Sequence, residues 1–166
     1  MKINIIVATE QNNGIGQNNT LPWDFRKDMK YFSNITKGNY NNAVIMGRNT
    51  YESIGNPLPK RYNIILSKSI KITTENTSVF HNIGDAITFC KNKHFEDVWI
   101  IGGETIYKQF LDLHLHLIDN IYITKIMKDY ECDTFFPCIS DHFKMISSSS
   151  ITENDTVLKF LIYSKS

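Results

Sequence analysis

"AVIMGRNTYESIGNPLPKRYNIILS", residues 43–67, sets two nearly continuous β-branched runs on either side of a short helical pattern. "AVIMG" (43–47) and "YNIILS" (62–67) read as strands buried on both faces. Residues 48–54 between them read as a helix. The same grammar recurs along the chain. "INIIVA" (3–8), "VWIIGG" (98–103) and "IYITKI" (121–126) are further strands, and 24–36, 84–93 and 104–111 are further helical patterns. Strands alternating with helices predict an α/β fold: a doubly wound, mostly parallel central sheet with helices on both faces. The tail differs. "FKMISSSS" and "VLKFLIYS", joined by the polar "ITENDT", predict a C-terminal antiparallel hairpin at the sheet edge.

The 166 residues carry no internal repeat and no linker, so one domain over 1–166 is expected. A chain of this size buries roughly two thirds of its unfolded surface, enough for a core without staples. A net charge of +1 gives no reason to expect a nucleic-acid partner. No apolar run approaches the roughly 18 residues of a membrane span. The first residues read as a strand and not as a signal peptide, so a cytoplasmic protein is expected. Cys90, Cys132 and Cys138 lack CxxC spacing and suggest neither disulfides nor zinc. They are expected as small buried or half-buried apolar residues. His114 and His116 in "LHLHL" alternate as on a strand face, but no third ligand accompanies them, and no metal is expected.

In such folds ligands bind outside the carboxyl ends of the strands. Three segments collect there: the polar loop 9–20, "GRNTYESI" (47–54) and "GGETIY" (102–107). Two aspartates follow the loop in "LPWDFRKD" (21–28). Asp24 precedes the helix and reads as its N-cap. Asp28 falls on the face of Phe25, Met29 and Phe32, where a carboxylate is costly without a partner. It either turns outward to Lys27 or Lys30, or meets two parallel N–H donors such as an amidine edge of a 2-amino-pyrimidinone ring. The fork of Arg61 suits a carboxylate. The helix starts at 47–50 and 102–105 suit a pyrophosphate.

"GIGQNNTLPW" (14–23), Asp28 and Phe32, "VIMGRNTYESIGNPLPKRYNIILS" (44–67), "IIGGETIY" (100–107) and "DTFFP" (133–137) together resemble the dihydrofolate reductase family, in order and over nearly the whole chain. An Asp at position 28 resembles the bacterial branch more than the vertebrate one. The resemblance implies hydride transfer from NADPH to C6 of 7,8-dihydrofolate with protonation at N5, giving the tetrahydrofolate used in one-carbon metabolism and thymidylate synthesis. It implies that Asp28 binds the pterin N3 and 2-amino group and promotes protonation through water. Burial should raise the pKa of such a carboxyl. Thr124 would support Asp28, and Trp23 would stand beside the pterin. Phe32, Ile54, Leu58 and Ile101 would line the substrate pocket. Ile6 and Ile101 would offer carbonyls, and Arg61 would take the glutamate α-carboxylate.

For the cofactor the resemblance implies Ala8, Ile15 and Tyr107 near the nicotinamide end, and Gly47, Arg48, Asn49 and Thr50 at one helix start. Gly102, Gly103, Glu104 and Thr105 form the other, with a cis Gly-Gly bond. Arg48, Ser67 and Lys68 fall where the family recognises the 2′-phosphate. The resemblance further implies an adenosine-binding subdomain over about 42–95, a loop subdomain for the remainder, a monomer, and binding of antifolate inhibitors. The chain departs from frequent family residues at Leu21, Tyr51 and Glu104, and lacks a proline before Asp28. Glu104 is expected to repel a pyrophosphate unless it turns away. Two other readings stand beside this one. One is the pyrimidine reductase of riboflavin synthesis, which shares the fold without needing Trp23, Asp28 and Arg61. The other is a non-catalytic NADPH-binding module, which would have no reason to bury Asp28.

Overall fold

The computed structural model describes residues 1–72 and 74–166. Strands and helices alternate as β1 (Lys2–Glu10), β2 (Gly14–Gly16), α1 (Arg26–Lys37), β3 (Ala43–Gly47), α2 (Arg48–Ile54), β4 (Tyr62–Leu66) and β5 (Thr77–Phe80). The chain continues through α3 (Ile83–Lys93), β6 (Asp97–Gly102), α4 (Glu104–Leu113), β7 (Asn120–Ile126), β8 (Thr134–Phe135), β9 (Phe143–Glu153) and β10 (Thr156–Lys165). Eight strands form one sheet in the order β5-β4-β3-β6-β1-β7-β10-β9. From β5 to β7 every neighbouring pair is parallel, and β10 and β9 close the edge antiparallel.

The period of two in β1 builds both layers of the core. Ile3, Ile5 and Val7 face α3 and α4, packing with Ile87, Cys90, Ile106 and Phe110. Ile6 faces the other way and packs with Val44, Met46 and Trp99, against Phe32 and Ile35 of α1 and Tyr51 of α2. Helices therefore cover both faces, and the strands of the expected fold form in place. The short β5, and the pair β2–β8, lie outside what periodicity revealed; strands of four, three and two residues are too brief to show a period. The hairpin strands run on through "ITE" and leave only Asn154-Asp155 as a turn. Both residues have positive φ, 52° and 60°, as a type I′ turn requires.

Four expectations need correction. Asp24 does not cap α1. The helix begins at Arg26, its N-cap residue Phe25 makes no side-chain cap bond, and the free amides of Arg26 and Lys27 donate to the carboxylate of Glu153 at 2.9 and 2.8 Å. A start one residue later makes Phe25 the N-cap residue in place of Asp24, and the capping role passes to the hairpin tip. Met29 is 51% exposed, so the buried face of α1 is narrower than its apolar residues suggest. Cys90 is buried and Cys132 half-buried, but Cys138 is exposed. The "LHL" of 115–117 winds into a 3-10 turn, so His114 and His116 share no strand face.

Candidate functional site

Asp28 is the third residue of α1 and, with Thr36, one of its two buried residues. The first turns of α1 lie over β7 and β10, where Tyr31 packs at a tilt against Phe160 with ring centres 4.3 Å apart. Thr124 on β7 pairs with that Phe160, and its side chain stands close enough to Asp28 to favour the ionised carboxyl. Burial raises the Asp28 carboxyl above the ordinary range, the Thr124 side chain acts against that rise, and the nearby Glu153 charge adds to it. Trp23 is buried in the adjoining cluster with Ala8 and Tyr31, tilted against Tyr130. Its indole N–H is buried without a protein partner. A buried acid and an unpartnered donor thus lie in one apolar neighbourhood, an arrangement that pays its desolvation cost only when something polar is received.

Ile6, Phe32, Leu58 and Ile101 are brought together in one cluster beside this acid. Ile54, the last residue of α2, is 38% exposed and does not join it. The Ile6 carbonyl accepts the Tyr107 hydroxyl at 2.9 Å, which leaves one lone pair for another donor. Burial pushes the Tyr107 phenol up, so it stays a neutral donor.

Arg61 is buried, 7% exposed, and burial lowers its pKa. Nε donates to the Pro59 carbonyl at 2.9 Å and Nη1 to the Thr36 hydroxyl at 3.0 Å. Thr36 in turn donates to Phe32 O at 2.8 Å. Among the described residues no carboxylate pairs with this guanidinium. Two of its five N–H donors are used, both on neutral oxygens, so the cation is held in place with its charge unmatched. Asn63, fully buried, fixes the same loop: it bonds Leu58 through both N–H and carbonyl and the Arg61 carbonyl, each at 2.9 Å. Sequence reasoning missed Thr36 and Asn63. Thr36 had a signal, since 28, 32 and 36 are spaced to share one helix face. A cavity of about 470 Å³ at the amino ends of β3 and β4 shares only Arg61 with the expected substrate residues.

The helix starts divide into two kinds. α1 is capped by Glu153, and α3 by Asn82, whose side chain accepts Asp85 N–H at 2.8 Å. α2 and α4 begin after Gly47 and Gly103 with no side-chain cap. Their amides and dipole ends remain available for an anion. The two starts are adjacent, because Met46 of β3 pairs with Gly102 of β6. A Cβ on Gly47 would come within 2.9 Å of Ile106, and one on Gly103 within 3.4 Å of the Thr50 hydroxyl. The Gly102–Gly103 peptide is cis. Glu104 turns away from this junction, its carboxylate accepting Phe135 N–H of β8 at 2.6 Å.

At the outer end Arg48 pairs with Glu52 at 2.8 Å and donates to Ser69 at 3.1 Å. Ser67 accepts the amides of Ser69 and Ile70, and Lys68 is exposed. Ser69, unmarked by the sequence, therefore joins the predicted set. Asn49 and Thr105 are exposed, while Ala8 and Ile15 are half-buried and pack against core clusters. Loop 11–14 is anchored by the buried Glu10, which accepts Asn12 and Gly14 N–H at 2.6 and 2.8 Å.

A family model described as dihydrofolate reductase matches residues 2–165. The chain is similar to dihydrofolate reductase of Staphylococcus haemolyticus, 39% identical over 89% of this chain and 84% of the relative. It is also similar to that of Drosophila melanogaster, 37% identical over 90% and 87%. The Bacillus subtilis protein of the same name is 34% identical over 98% and 94%.

Proposed function

The chain belongs to the dihydrofolate reductase family, and on that premise we propose how its own residues divide the reduction of dihydrofolate with NADPH. It is an oxidoreductase that reduces dihydrofolate with a nicotinamide cofactor. The observation that carries the residue assignment is Asp28, buried on the inner face of α1 beside Thr124, its pKa raised by that burial. A two-donor pterin edge satisfies that carboxylate, and a raised pKa eases its protonation. The buried Trp23 N–H suits a water between acid and substrate. Ile6, Phe32, Leu58 and Ile101 hold the rings, with Ile54 at the rim. Arg61, held by Thr36 and Pro59, takes the glutamate carboxylate through its unused donors.

NADPH, when bound, supplies the hydride. The uncapped starts at Gly47, Asn49 and Thr50 and at Gly102, Gly103 and Thr105 receive its pyrophosphate, and Glu104 spares it repulsion by binding β8. Arg48, Ser67 and Lys68, with Ser69, recognise the 2′-phosphate, and Ala8, Ile15 and Tyr107 adjoin the nicotinamide. Residues 42–95 act as the adenosine-binding part. Antifolates with a charged amidine edge compete for Asp28. A cytoplasmic monomer completes this reading.

Purified protein mixed with dihydrofolate and NADPH should oxidise the cofactor, and NADH should serve far less well. Equal use of the two cofactors would refute the 2′-phosphate assignment. Binding of NADPH without turnover would refute the catalytic one.

A further inference from the structure

The first turn of α1 is held from outside the helix. Arg26 N–H donates to Glu153 Oε2 at 2.9 Å and Lys27 N–H to Oε1 at 2.8 Å, so one carboxylate takes two successive free amides. Lys27 Nζ returns a bond of 3.2 Å to the Thr152 carbonyl, which ties the end of β9 to the helix a second time. Asp28 follows those two amides directly, on the buried side of the same turn.

A helix start carries a partial positive charge, which favours the ionised form of a carboxylate in the first turn. Glu153 cancels that charge and adds its own. The other groups around Asp28 do not do this. Arg26, Lys27 and Lys30 on α1 are exposed. Tyr31 has its phenol pushed up to about 12 by burial, then by Tyr122 and Asp28, so it is neutral. β7 and β10 present Thr124 and Phe160, while their Lys125 and Lys159 pair on the opposite face of the sheet.

We infer that Glu153 is a positioning residue for the reduction: from the hairpin tip it fixes the turn that carries Asp28 and cancels the helix-end field that would hold this acid ionised. Burial, opposed by Thr124, remains the largest influence on the Asp28 carboxyl, and Glu153 pushes in the same direction as burial. The inference rests on Asp28 being the acid of the reaction, so its test reads Asp28 both with and without substrate.

The Asp28 carboxyl would be titrated by carbon-13 NMR in the ligand-free full chain, for the native protein, Glu153→Gln and Glu153→Asp. The pH profile of dihydrofolate reduction would be measured on the same three. Glu153→Gln should lower the Asp28 midpoint by roughly 0.2–0.7 pH unit. Glu153→Asp, whose carboxylate retreats by one methylene, should lower it by less, and the rate profile should move with each midpoint. If Glu153→Gln does not fold, the aspartate variant carries the test alone. An unmoved midpoint overturns the inference, because a purely structural cap would change melting and not titration. A midpoint that moves under a fixed rate profile upholds the hold of Glu153 on Asp28 and overturns instead the catalytic assignment of Asp28.

Discussion

The two ends of the proposed site, one assigned to substrate and one to cofactor, handle polar groups in opposite ways. At the proposed substrate end the charged groups are buried and held by the protein itself: Asp28 on the Glu153-capped turn beside Thr124, Arg61 by Thr36, Pro59 and the Asn63 loop. Their charges are left without a counter-charge. At the cofactor end the groups are exposed side chains, such as Arg48 and Lys68, and bare amides at the starts of α2 and α4. On the proposed assignment, the difference separates where specificity and chemistry would reside. Buried, unmatched charges discriminate strongly, because a wrong ligand leaves them unsatisfied. Exposed charges and amide clusters bind a phosphate-rich molecule with modest loss at any one point.

If this contrast holds, substitutions should rank by burial. Asp28→Asn should lower the rate of dihydrofolate reduction at pH 7 by roughly 10²–10⁴-fold, with partial recovery in acid, where solvent protonates the substrate. Pre-steady-state rates across pH check this, and an undiminished rate at neutrality would break the contrast. The same variant should melt at a higher temperature than the native protein at pH 7. The folded carboxyl is raised above its ordinary 3.8, so between that value and the raised one the native state binds more protons than the unfolded state. Stability therefore falls as pH climbs through that window, and asparagine removes the loss. Below about pH 3.8 the two melting curves should converge.

Arg61→Leu comes next. Losing charge-assisted bonds to a carboxylate should raise KM for dihydrofolate by roughly 10–100-fold and leave kcat nearly unchanged. Steady-state kinetics with dihydrofolate and with a substrate lacking the glutamate separate this from misfolding, since the shortened substrate should not notice the change. Arg48→Ala should raise KM for NADPH by only about 3–10-fold, less at high salt, with KM for NADH unmoved. A loss as large as that of Arg61→Leu would erase the distinction between the two ends. The smallest effect belongs to Asp24→Ala, which should change turnover by less than about 2-fold, because Asp24 is exposed and caps nothing.

Much of this was legible in the residues. Nearly continuous apolar runs at 3–8, 43–47, 62–67, 98–103 and 121–126 fall, within one or two residues, on the parallel strands β1, β3, β4, β6 and β7, since hydrophobic patterning is a property of the chain alone. Spacing put Asp28 on the inner face of α1 beside Phe32, and the motifs supplied the family. The glycines at 47 and 103 marked two helix starts that the fold indeed leaves uncapped.

Tertiary structure alone decided which partner satisfies each polar group. The cap of α1 comes from Glu153, 127 residues from Arg26, although Asp24 stood nearer in sequence. Glu104 is turned to Phe135 of β8, and the unmarked Thr36 and Asn63 shape the surroundings of Arg61. A hydrogen bond contributes about 1 kcal/mol whichever segment supplies it, so local pattern does not rank near donors against distant ones. Burial of a strand face is written in the order of the residues; the pairing of a carboxylate with an amide is written only in the space that folding closes.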